Sequence, residues 1–264
     1  VIKLKRIALL YKAFFRVNIL NSLEYRTDYL VTFIATSTYT MGYLLFLDAV
    51  LRQVPEVAGW KFDQLLILFS VNQLIYYLSW GLFRDSLHQL PIDIKNGNID
   101  KLLKLPIPMK LSTTIRGQSF DFIFPSFLQI SIFIYAIRGL TISYGQWTVF
   151  GVMFIIGLII FYYLVHIVTV MSFWIIESED LIGILEEMLD YTRYPLSFFP
   201  KPIVTFFIFI VPLLLIVYVP TSALLTNLFD WKLAGIAFVM CILLKLFSDF
   251  LWKKALQYYS GVSS

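Results

Sequence analysis

A single cysteine, Cys241, serves all 264 residues, so no disulfide can form within the chain, and the two histidines, His88 and His166, stand too far from it and from each other to suggest a metal-ligand spacing. Charge is equally scarce: 14% of residues are charged, where a soluble domain carries about 25%. No G-x-x-x-x-G-K-[ST] run is present, which excludes a phosphate-cradling loop of that type, and no H-E-x-x-H, nucleophile elbow or Ser-His-Asp spacing appears. A channel would call for rings of charge or a repeated pore loop, and neither is found. The opening VIKLKRIALLYKAFFRV alternates bases with apolar residues without a small-residue cleavage site, so no cleavable signal is expected there.

What is abundant is apolar. Hydrophobic residues make up 59% of the chain and its mean hydropathy is +0.79, the composition of an integral membrane protein with one all-α, polytopic domain over 1–264. Apolar runs near 29–51, 62–83, 119–138, 147–176 and 231–252 are long enough to cross the hydrocarbon, and with one further crossing about six transmembrane helices are expected. Trp60 and Trp80, Trp147 and Trp174, and Trp231 and Trp252 bracket three of these runs. At the helical rise their separations are roughly 30, 40 and 31 Å, which suits interfacial rings.

Residues 177–230 admit two topologies. Six acids fall within 177–190 before IVTFFIFIVPLLLIVYVP turns wholly apolar. Either 177–202 is a cytoplasmic amphipathic segment and 203–226 the fifth span, or 178–199 is a polar fifth helix shielded by protein and 203–226 a proline-broken re-entrant hairpin on the outer side. Under the first, sixteen Lys and Arg gather on the side of both termini and the 84–116 loop, against Arg52, Lys61, Arg138 and Lys232 opposite; under the second the ratio is fourteen to six. Both put the termini and that loop in the cytoplasm. Nothing in the modest net charge of +4 points to nucleic acid.

Two cytoplasmic elements stand out. Within 1–28, Ile7, Tyr11, Phe14 and Phe15 share one helical side while Lys5, Lys12 and Arg16 share another, as in a helix lying along the inner interface. The run NGNIDKLLKLPIPM over 96–109 is punctuated for a short helix: Gly97 free to take positive φ, Asn98 as N-cap, Asp100 in the first turn, an Ile99-Leu102-Leu103 stripe, Lys101 and Lys104 elsewhere, and Pro106 and Pro108 as a stop. So short a helix is marginal alone. Its stripe needs a partner, which periodicity leaves open between the chain's own helix ends and a separate protein.

Ionisable residues inside spans are functional candidates. Lys245 and Asp249 are four apart and can pair on one face, but both lie near the cytoplasmic end of the last helix, which favours Lys245 snorkelling to the interface; Asp121 enters the third span near Arg116, at the interface; His166 lies deep in the fourth, where a neighbouring hydroxyl or backbone group would satisfy it. An embedded enzyme acting on a lipid or polyprenyl substrate through Asp121, His166 and the 177–190 acids is the alternative to a transport role, without a supporting spacing.

Three stretches carry a resemblance. IKNGNIDKLLKLPIP resembles the G-x-[ILV]-D-x-L-L-x-x-P signature of ABC-2 type exporter permeases, in the branch catalogued as a domain of unknown function. RYPLSFFPKPIVTFFIFIVPLLLIVYVPTSALL is similar to that branch's proline-rich stretch, and DFLWKKALQYYSGVSS to its closing tail, so the match covers roughly 60–264. The resemblance implies a permease that forms a substrate path as a dimer, with itself or a paralogue, in a bacterial cytoplasmic membrane. It implies that the loop helix is a coupling helix docking on a separate ATPase dimer, with Gly97, Asn98, Ile99, Asp100, Lys101, Leu102, Leu103 and Pro106 at the coupling positions. It further implies that this chain binds no cofactor, ATP and Mg being held by the partner, and it favours the second topology.

Overall fold

The computed structural model describes residues 12, 14, 16–20, 26–54, 56–104, 106–117, 119–175, 178–225 and 228–262. Most of the 1–28 interface segment, including Lys5, Ile7, Tyr11 and Phe15, lies outside the described residues. The helices in chain order are α1 Arg26–Leu51, α2 Phe62–Ser79, a π turn Trp80–Arg84, α3 Asp85–Lys95, α4 Ile99–Leu103, α5 Met109–Ile115, α6 Ile123–Ile137, α7 Tyr144–Val170, α8 Ser178–Asp190, α9 Lys201–Phe209, α10 Leu213–Leu224 and α11 Trp231–Val262. Among the described residues there is no strand beyond an isolated bridge between Val57 and Trp60.

Among the described residues four helices are long and apolar enough to cross a membrane, Tyr29–Leu51, Phe62–Lys95, Tyr144–Phe173 and Trp231–Tyr259, and the bent pair α9–α10 makes a fifth if counted as one span. The second runs on past residue 83, where the sequence suggested a loop, because α2, the π turn and α3 form one 34-residue rod that accommodates Pro91. The third run yields the shorter α6, 15 residues, or about 22 Å at the helical rise.

The rod is the centre of the bundle. α2 buries residues all round, from Leu65 to Ile75, including the polar Ser70, Asn72 and Gln73, as a helix surrounded by protein should. α10 is buried just as completely. It presses on α7 at Gly157, where a Cβ would stand 2.5 Å from the carbonyl oxygen of Ile216, so only glycine lets the two backbones approach this closely.

Cross-contacts give α8 and its continuation a direction. Glu186 meets Arg84 and His88 near one end of the rod. Closer to the Phe62 end, Asn72 Nδ2 donates to the Leu189 carbonyl at 3.0 Å and to Thr192 Oγ1 at 2.8 Å. Ser197 Oγ donates to the Ala58 carbonyl at 2.9 Å, beyond the other end. Residues 186–197 therefore run antiparallel to the rod, from the level of Arg84 and His88 toward its Phe62 end. α9 and α10 then meet at 96° across Ile210–Pro212. Leu224 accepts from Gln146 Nε2 at 3.5 Å, near the start of α7, while Ile216 lies against Gly157 at its middle. The α9–α10 pair is thus sharply bent and not one straight helix.

The tryptophans divide. Trp147, Trp174 and Trp231 are exposed, in keeping with interfacial rings. Trp60 and Trp252 are buried, the first 6.0 Å from the Tyr218 ring and the second 5.4 Å from His166, so they are packing residues instead.

Candidate functional site

The α4 end of the bundle collects the residues singled out in the sequence. α3 closes in a Schellman motif: Gly97 has φ +67, its N–H bonds to the Ile94 carbonyl at 3.2 Å, and the Asn98 N–H bonds to the Asp93 carbonyl at 2.8 Å. Asn98 stands at the N-cap position of α4 without the side-chain cap bond that its identity suggested. Ile99 is fully buried and Leu102 nearly so. They join Leu90, Met109, Phe173 and Trp252 in one apolar cluster. The partner of the stripe, as far as these two residues carry it, is therefore the chain's own helix ends; the side chains of Lys101 and Leu103 lie outside the described residues. Among the described residues here, Lys95, Asn96, Gly97, Asp100, Lys104 and Pro106 are exposed. Tyr259 OH donates to Asp100 Oδ1 at 3.1 Å, fastening α4 to the last turns of α11.

A second tie runs from α5 to α11. Lys110 Nζ donates to Asp249 Oδ1 at 2.6 Å and to Ser248 Oγ at 3.1 Å. Asp249 thus takes its cation from α5, not from Lys245, whose side chain is exposed. The i, i+4 pairing fails because Asp249 turns toward the cleft between α11 and α5, where a partner is already mounted. Ser248 Oγ also lies 3.0 Å from His166 Nδ1, so a hydroxyl does occupy one nitrogen of this fully buried ring. His166 Nε2 has no hydrogen-bond partner.

The third group was not legible. The π turn adds a residue to the rod and rotates everything beyond it by about 100°. Its Gly81 lies so near the Phe122 ring that a Cβ would overlap it. Arg84, at the end of the turn, makes a bidentate pair with Glu186, its Nε and Nη2 on the two carboxylate oxygens. Its Nη1 donates to Tyr76 OH at 3.1 Å, and its guanidinium lies 4.6 Å from the Trp80 ring. His88 Nε2 is 2.8 Å from Glu186 Oε1, so this histidine, which has no sequence neighbour to serve, has a distant one. The Arg84 and Glu186 side chains are only 13% and 8% exposed.

Asp121 precedes α6 and accepts from Ser119 Oγ; Arg116, its expected neighbour, pairs with Asp93. Asp121, His166 and Glu186, the members of the enzyme alternative, thus have three different partners. Among the described residues no three His, Cys, Asp or Glu side chains converge as a metal site requires.

The short helix α4 thus exposes Asp100 and Lys104 while Ile99 and Leu102 pack against α3, α5, α7 and α11. In comparison with known proteins, the family model described as "ABC-2 family transporter protein" matches residues 37–263. Curated proteins give no match.

Proposed function

Because the chain belongs to the ABC-2 family of transporter proteins, and is therefore the membrane permease component of an ABC transporter, we propose that it is the path-forming subunit of an exporter, working as a dimer with itself or a paralogue. A separate ATPase dimer holds ATP and Mg and docks on the exposed face of α4, which turns toward the cytoplasm together with both termini. The reading places 178–199 as the polar fifth crossing and 203–226 as an outer re-entrant hairpin, supported by the antiparallel course of 186–197 along the rod.

One observation carries the coupling role: α4 is accessible on one side and locked on the other. Ile99 and Leu102 sit in the same apolar cluster as Leu90 of α3, Met109 of α5 and Trp252 of α11. Interiors packed at this density move as units rather than deform, so a push on Asp100 and Lys104 reaches α3, α7 and α11 together. The Asp100–Tyr259 and Lys110–Asp249 ties direct the push into the last helix.

The test reverses charge on the accessible face and spares the buried one. Asp100→Lys with Lys104→Glu is expected to abolish co-purification with the ATPase and ATP-driven transport, while the permease still inserts and elutes as a folded species. Undiminished association in that variant overturns the docking role. Leu102→Glu is a poor substitute, since it would break the permease's own core.

A further inference from the structure

We infer that the cavity between α1, the Phe62 end of the rod and the end of α6 is a phospholipid site, with an acyl chain inside it and the lipid phosphate at Arg138. The cavity measures about 460 Å³, within the range of small-molecule sites. Met41, Leu44, Leu45 and Asp48 have the spacing of one helical face and turn that face of α1 toward it. Leu66 of the rod and Ile132 of α6 close it from the other sides. Along α1 the lining runs from Met41 to Asp48, about 10 Å at the helical rise.

The walls decide what can fill it. They are apolar except at Asp48 and Ser131, and water is not held where two to four polar partners are lacking. The lining residues Leu45 and Tyr135 are each 57% exposed, so the cavity opens on the side of the bundle. Beside helices of membrane-crossing length, the medium at that opening is hydrocarbon.

The polar end supplies a partner for the phosphate. Asp48 is taken by Arg52, at 2.9 Å. Lys61 and Asp63 flank Phe62, which also lines the cavity, and offset each other. Arg138 is left over: it is exposed, it follows the last turn of α6, and its guanidinium lies 5.5 Å from the ring of Tyr135 without a carboxylate partner among the described residues. A guanidinium fork matches phosphate oxygens, and the end of a membrane helix is where headgroups lie. A lipid seated here joins α1 to the rod and to α6. It adds to the contacts that hold α1 at mid-span, where Gln129 Nε2 donates to Thr40 Oγ1 at 3.0 Å and the Tyr43 ring stacks on Phe69 at 4.1 Å.

The experiment titrates delipidated permease in detergent with two probes, dioleoyl phosphatidylglycerol and dioleoylglycerol, which has the same chains and no phosphate. Binding is read by native mass spectrometry and stability by thermal melting. The wild type is expected to bind one phosphatidylglycerol per chain, about tenfold more tightly than dioleoylglycerol, with a rise in melting midpoint as ligand linkage requires. Leu45→Trp fills the cavity from an exposed position and should weaken both probes about tenfold or more. Arg138→Gln should bring phosphatidylglycerol down to the affinity of dioleoylglycerol and leave dioleoylglycerol unchanged. Undiminished binding in Leu45→Trp, equal affinities of the two probes in the wild type, or an Arg138→Gln variant that keeps the preference overturns the assignment. A permease that binds neither probe, and whose dimer falls apart in Leu45→Trp, gives the cavity to a second copy and overturns it as well.

Discussion

The Arg84–Glu186 pair offers the sharpest test of how the chain crosses the membrane. Both side chains are nearly withdrawn from solvent, at 13% and 8% exposure, so replacing Glu186 by Leu strands a guanidinium whose remaining partners are Tyr76 OH and the Trp80 ring. Breaking one side of a buried, hydrogen-bonded pair costs about 3–5 kcal/mol. Arg84→Met should fall at the lower end of that range, because His88 still lies 2.8 Å from the Glu186 carboxylate. The double variant, with two apolar side chains of similar volume, should recover most of the loss, as buried pairs exchanged for apolar groups commonly do. Reversible unfolding of the purified permease in mixed micelles gives the four corners of the cycle. If α8 were instead a cytoplasmic surface helix, the pair would be exposed and each single change would cost less than about 1 kcal/mol. That result, or simple additivity in the double variant, would refute the packing of α8 against the rod.

Three other outcomes are expected. In a Cys241→Ser background, Lys201→Cys should react with an impermeant thiol reagent from one side of the membrane and Lys104→Cys from the other, since both positions are exposed and lie at opposite ends of the bundle; labelling from one side only contradicts the re-entrant hairpin. Gly157→Val should destabilise the permease by about 1–3 kcal/mol through overpacking, because a Cβ there already stands 2.5 Å from Ile216 O, and a thermal melt of the purified protein reads it. Lys110→Met should leave ATPase association intact but lower transport per ATP hydrolysed, as the α5–α11 tie is lost; an unchanged ratio would show that the tie does not carry the stroke.

Hydropathy alone reveals α1, the first part of the rod, α7 and α11, since each is a long apolar run, and the turn chemistry of Asn96-Gly97 foretells both the left-handed Gly97 and the short helix after it. It fails wherever a polar residue is satisfied by one far along the chain. Arg84, His88 and Pro91 make the end of the rod look like a loop, and Glu186 makes α8 look like a surface helix, yet Arg84 and Glu186 lie 102 positions apart and cancel each other. The same holds for Lys110 and Asp249, 139 apart, where the sequence offered the nearer Lys245. No local pattern encodes such pairs, because what selects them is the geometry of helices meeting in an environment with no water to serve a lone charge. The residues that obscure the topology are therefore the ones that enforce it. A polar group within a span is tolerated only in the register that meets its partner, so each of these pairs fixes one helix against another. Arg84, Glu186, Lys110 and Asp249 cluster toward the α4 end of the bundle, where the proposed coupling role would need a push on α4 to be carried without slip.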